Sequence, residues 1–167
     1  REQNVKSLLN ELDRVKERSK DQLAVNGNLI ATIELQSCFN LGATDKSYIE
    51  DAISRYEGYP ENVRTFDGVR LFMALCYEMG GNLEKSVELL SQCAWREDEE
   101  IATRYLTLLI ELKQPEKAID SYNQIKVVTP RTESVYLLAL YRTKNEQYEN
   151  LLIDAVHKFN TSIEDLF

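Results

Sequence analysis

EEIATRYLTLLIELKQPEKAIDSYNQIKVVTP, residues 99–130, reads as two amphipathic helices and a stop. The acids at its start suit a helix N-terminus, where the dipole favours negative charge. Pro115 falls at the first position of a second helix, where its missing N–H costs nothing, and Pro130 closes the segment. Within the second helix, Ala118 is followed four residues later by Tyr122, so a small and a large side chain share one face. That order lets neighbouring helices approach and interlock.

The same order recurs along the chain. IEDAISRYEGY, LEKSVELLSQC, PEKAIDSYNQI and EQYENLLIDA align to make Ala52, Ser86, Ala118 and Tyr148 equivalent, at successive intervals of 34, 32 and 30 residues. Tyr56, Leu90, Tyr122 and Leu152 follow four residues on, then Tyr59, Cys93, Ile125 and Ala155 three further. A period in this range marks a helix-turn-helix repeat.

Outward from this register, helices are expected at about 2–20, 23–42, 45–59, 62–79, 83–95, from the acidic run 97–100 through Lys113, from Pro115 towards Pro130, 133–143 and 146–160. The first carries Val5, Leu8, Leu9, Leu12 and Val15 on one stripe. It reads either as a half-repeat packed on an open end or as a coiled-coil strand. Three prolines and six glycines in 167 residues leave too few breakers for an all-β fold.

The fold class expected is all-α, a right-handed superhelical solenoid of about four antiparallel helix pairs plus the N-terminal helix. The chain divides into an amphipathic helix at 1–22, a repeat domain at 23–162 and a short tail at 163–167.

The register resembles the tetratricopeptide repeat family over residues 23–162, best at 99–130, where Ala118, Tyr122 and Pro130 hold the family's small, aromatic and proline positions. Ala74 and Tyr77 match a first helix in the preceding pair. Leu106 and Tyr136 depart from it, standing where a small residue is usual, as does Tyr148. The resemblance implies stacked pairs whose first helices line a concave surface. There it implies a protein partner, either a peptide or a helical segment.

The positions so implied are Leu71, Leu75, Glu78 and Met79, then Thr103, Arg104, Thr107 and Glu111, then Leu137 and Tyr141. Chaperone-binding members clamp a C-terminal carboxylate with Lys, Arg and Asn. Here only Arg104 is cationic among the matching places, which argues against such a clamp. LFMALCYEMGGNLEKSVELL and YLTLLIELKQPEKAIDSYNQI also resemble the central repeats of the coatomer epsilon subunit, which implies the alternative of a structural subunit of a vesicle coat in intracellular protein transport.

Composition narrows the function classes. With 28 acidic and 20 basic residues, the net charge of -8 opposes binding to phosphate backbones. No nucleic-acid partner is expected. No apolar run has the length of a membrane span, so no direct membrane insertion is expected. Cys38, Cys76 and Cys93 have spacings that fit neither a disulfide framework nor a metal motif. A reducing, cytoplasmic setting is expected. The start at Arg1 suggests a fragment, a processed product or the ordered part of something longer.

No constellation for chemistry is visible, and no cofactor is expected. His157, the sole histidine, lacks a partnered nucleophile. Glu50 with Asp51, and the acids 97–100, read as solvated charge because adjacent helical residues point apart. Gly80, Gly81 and Asn82 read as an interhelical turn. Trp95 is either a packing plug or an exposed interface anchor. The sequence thus points to a noncatalytic scaffold or adaptor, a subunit of a multi-protein complex, with catalytic, cofactor-binding and metal residues all absent.

Overall fold

The structure, a computed structural model, describes residues 2–18 and 23–160. The expected tail at 163–167 and the junction at 19–22 lie outside the described residues. Among those described, the protein is all-helical: α1 Glu2–Arg18, α2 Leu23–Gly42, α3 Ser47–Gly58, α4 Glu61–Arg64, α5 Asp67–Met79, α6 Leu83–Ser91, α7 Glu99–Glu111, α8 Pro115–Tyr122, α9 Pro130–Arg142 and α10 Tyr148–Phe159. The chain divides into two compact units, Arg1–Cys93 and Ala94–Phe167.

In the first unit α2 packs against α1, α3 and α5. A helix buried on several sides must be apolar around most of its circumference, and α2 carries one charged residue, Glu34, in twenty. Its Leu35, Cys38 and Leu41 meet Ile49 and Ala52 of α3, Val69, Met73 and Cys76 of α5, and Leu9 of α1 in one core. Gly42 permits the close approach at the end of α2. A Cβ there would lie 2.4 Å from Ile49 Cδ1 and 3.2 Å from Met79 Sδ.

The second unit is built on α7 and α9, which pack against each other. Their apolar faces supply Ile101, Ala102, Tyr105, Leu106, Leu108 and Leu109, then Leu137, Ala139 and Leu140, all buried. α8 packs on both helices, and α10 packs on α9. Trp95 is buried, with its ring centroid 5.0 Å from that of Tyr105, and the Arg96 guanidinium lies 4.1 Å over it. The packing role expected for Trp95 fits its burial.

Three helices end in the same way. After α5, Gly81 N donates to Glu78 O (2.9 Å) and Asn82 N to Tyr77 O (2.8 Å). After α7, Lys113 N donates to Ile110 O (3.0 Å) and Gln114 N to Leu109 O (2.8 Å). After α9, Lys144 N donates to Tyr141 O (3.1 Å) and Asn145 N to Leu140 O (3.0 Å). This paired bonding is the Schellman motif, which needs a left-handed residue at the turn. Gly81 (φ 82°), Lys113 (φ 59°) and Lys144 (φ 54°) provide it, at intervals of 32 and 31 residues.

Two expected helices are cut short by local chemistry. The helix expected over 62–79 is broken, with α4 ending at Arg64 and Phe66 extended (φ −73°, ψ 129°) before α5. No Gly or Pro marks that break. α8 stops at Tyr122, well short of Pro130. Four of the five residues from Ile125 to Thr129 are β-branched and poor helix formers, and Thr129, preceding a proline, is held extended. Thr129 and Thr132 then form a reciprocal capping box for α9.

Candidate interaction surface

The residues expected to line a concave surface divide between the two units. In the first, Leu71, Glu78 and Met79 are half-buried, and Leu75 is buried at 9% exposure. In the second, Thr103 and Thr107 are half-buried while Arg104 and Glu111 are exposed. Thr107 and Glu111 line a cleft of about 610 Å³ together with Ile110, Pro115, Leu138 and Arg142. Its walls are the outer faces of α7 and α9, with the α7–α8 turn at one end.

The α9 side of this surface differs from expectation by one residue. Leu137 is fully buried with Leu140 and Ala155, so it serves the core and presents nothing to a partner. Its neighbour Leu138 enters the cleft instead. Aligning the left-handed turn residues, Lys113 with Lys144, places Thr107 level with Leu138 and Glu111 level with Arg142. The sequence register, fixed on second helices, carried the length change of an intervening connection into this first helix. Tyr141 is 61% exposed, outside the cleft, with its ring 5.5 Å from Tyr148.

Charge in the first unit is organised around one carboxylate that sequence reading missed. Glu34 is fully buried and bonded to the Lys16 ammonium. It also accepts from Arg55 Nη1 at 3.1 Å and from the Tyr59 hydroxyl at 2.7 Å. Arg55 extends the cluster, donating to Asp13 at 2.7 and 3.0 Å and to Asp51 at 2.9 Å. One guanidinium therefore joins carboxylates of α1, α2 and α3. These donors hold the Asp13 carboxyl below its ordinary pKa. Burial, with Glu34 alongside, pushes the Tyr59 hydroxyl up. The available signal was a single charge in an otherwise uncharged helix.

A smaller cluster in the second unit centres on Glu133, 7% exposed, which accepts from the Tyr122 hydroxyl at 2.6 Å and lies 3.3 Å from Lys158 Nζ. Burial raises the Tyr122 pKa, and its ring stacks on Tyr136 with centroids 4.0 Å apart.

The remaining candidates for chemistry have structural settings. Asp98 caps α7 by accepting from Ile101 N (3.0 Å), Glu99 accepts from the Thr129 hydroxyl (2.9 Å), and Glu97 pairs with Lys126. The acidic run is thus largely occupied in ordering its own unit. Cys38, Cys76 and Cys93 are buried, and none is joined in a disulfide. Burial pushes the Cys38 and Cys76 thiols up to about 12, far from the thiolate form that reacts. His157 is exposed on α10. Among the described residues, no group of three or more His, Cys, Asp or Glu side chains is placed to hold a metal ion, and no helix is long and apolar enough to cross a membrane. Comparison with protein-family models, with curated proteins and with solved structures finds no match.

Proposed function

We propose that the protein is a noncatalytic interaction scaffold, built of tetratricopeptide-like helix pairs stacked as a solenoid, that holds a partner protein segment within a larger assembly. The observation that carries this reading is the cleft of about 610 Å³ between α7 and α9, lined by Ile110, Pro115 and Leu138 together with Glu111, Lys113, Glu116 and Arg142. A lining that mixes apolar and charged side chains suits a peptide or helix laid in a groove. The left-handed turns repeated at Gly81, Lys113 and Lys144 support a common helix-pair unit.

A second reading is a structural subunit, of the vesicle-coat kind, that makes its contacts on outer faces and ends. Ile153 on α10, 55% exposed, and Leu29 on α2, 60% exposed, favour it. Site-specific photo-crosslinking in the native source separates the two. A crosslinker at Leu138 is expected to capture a partner protein that one at Ile153 does not; capture from Ile153 with none from Leu138 overturns the cleft reading.

A further inference from the structure

The outer face of α9 carries a charge pattern that the fold does not use. Arg131, Val135, Leu138 and Arg142 are spaced i, i+4, i+7 and i+11 and so form one stripe along the helix. Leu138 and Arg142 line the cleft, and Arg131 and Val135 extend the stripe outside its lining; Val135 and Leu138 are half-buried, while both arginines are exposed. The two Cα atoms of the arginines stand about 16 Å apart, eleven residues at 1.5 Å each. Neither guanidinium takes part in a salt bridge with a described residue, unlike Lys126 and Lys158 of the same unit. In a chain of net charge -8, an apolar step bracketed by two such arginines is a local reversal of sign.

Across the cleft the rim has another character. Glu111 and Glu116 stand on the α7–α8 side with Lys113 between them in sequence. Lys113 lines the cleft as well, so that wall keeps a small net negative charge, and a carboxylate-bearing ligand is favoured on the α9 side, where Arg142 lines it.

We infer that the occupant of this cleft is an amphipathic helix of a partner protein, whose apolar ridge packs on Val135 and Leu138 and whose acidic flank runs along α9. Its carboxylates meet Arg131 and Arg142, about eleven residues apart in the partner's own sequence. Bidentate geometry makes arginine the cation suited to hold them. The inference rests on the proposed use of the cleft and adds the chemistry of the ligand.

Selection of a displayed library of helical 16-residue peptides on the full chain tests it. Enriched peptides are expected to carry an apolar ridge with Asp or Glu on one flank, and to lose binding on Leu138→Arg. The double variant Arg131→Glu/Arg142→Glu is expected to weaken them by about tenfold, as two partly exposed ion pairs would, and to shift selection towards Lys and Arg on that flank. Circular dichroism checks that each variant keeps its helices. Enriched peptides that respond to Leu138→Arg but ignore the arginine reversal overturn the inference and leave the cleft reading standing. Peptides indifferent to Leu138→Arg, or no enrichment at all, overturn both.

Discussion

Replacing Glu34 by alanine is expected to be among the most damaging single changes in the first unit. The side chain is fully buried and serves Lys16, Arg55 and Tyr59 together. Breaking a buried ion pair by removing one partner costs about 3–5 kcal/mol. The low end applies here, because Arg55 keeps Asp13 and Asp51, and Lys16, 27% exposed, can turn to water. The stranded Tyr59 hydroxyl adds about 1 kcal/mol, giving about 4 kcal/mol in all. Glu34→Gln keeps the volume and an acceptor for Tyr59 and should cost about half as much.

All three cysteines lie in the first unit and are buried, so thiol labelling along a urea series reports its unfolding. With an m-value of roughly 1–2 kcal/mol/M for a unit of this size, the labelling midpoint should fall by about 2–4 M for alanine. A shift equivalent to less than about 1 kcal/mol would show that Arg55 and Tyr59 are satisfied without Glu34, and would refute the hub.

Lys113 and Lys144 hold left-handed backbone that favours glycine, so Lys113→Gly and Lys144→Gly should each stabilise by roughly 0.5–1 kcal/mol after the added freedom of the unfolded chain is counted; Gly81→Ala should cost about as much, and urea unfolding followed by circular dichroism reads all three. Cys38 and Cys76, with thiols pushed up to about 12, should resist iodoacetamide at pH 8 in the native protein and react once it is unfolded. Fast labelling without denaturant would contradict their burial. Asp13 titrates below its ordinary value of 3.8 in the fold. Its contribution is therefore fully present above the unfolded pKa and is lost as pH falls below about 4 through the lowered folded value. Asp13→Asn should flatten the acid limb of a stability–pH curve, and an unchanged limb would count against the Asp13–Arg55 bond.

Helices were legible where periodicity and a breaker agreed, as at Pro115, which begins α8 as expected, whereas Pro130, read as closing a helix, begins α9 instead. The interruption at Thr65 and Phe66 had no such mark, and α8 ends at Tyr122 with no breaker before Pro130, ahead of β-branched residues that disfavour a helix without forbidding it. Of the positions expected on a concave surface, Thr107 and Glu111 of α7 do line the cleft, and the best-matched repeat lies there. On α9 the expected position slipped by one residue, from Leu138 to Leu137, because connection lengths differ and second helices do not fix the phase of first helices. The left-handed turns do fix it, yet two of the three are lysines, so the usual glycine signal was present only at Gly81.

Charge was the least legible layer, since an acid on a helix reads as solvated until its neighbours are known. Glu34, Arg55, Asp13 and Asp51 are absorbed in holding α1, α2 and α3 together, and Glu97, Asp98 and Glu99 in ordering the start of the second unit. Such groups are poorly placed to recognise a partner, because their interactions are already made inside the fold. Arg131 and Arg142 are the contrasting case: they flank an apolar step on an exposed helix face and enter none of these networks. The charges that the described ion pairs leave available therefore lie on the outer face of α9 rather than in the conspicuous acidic run, and it is there that the proposed helix would be recognised.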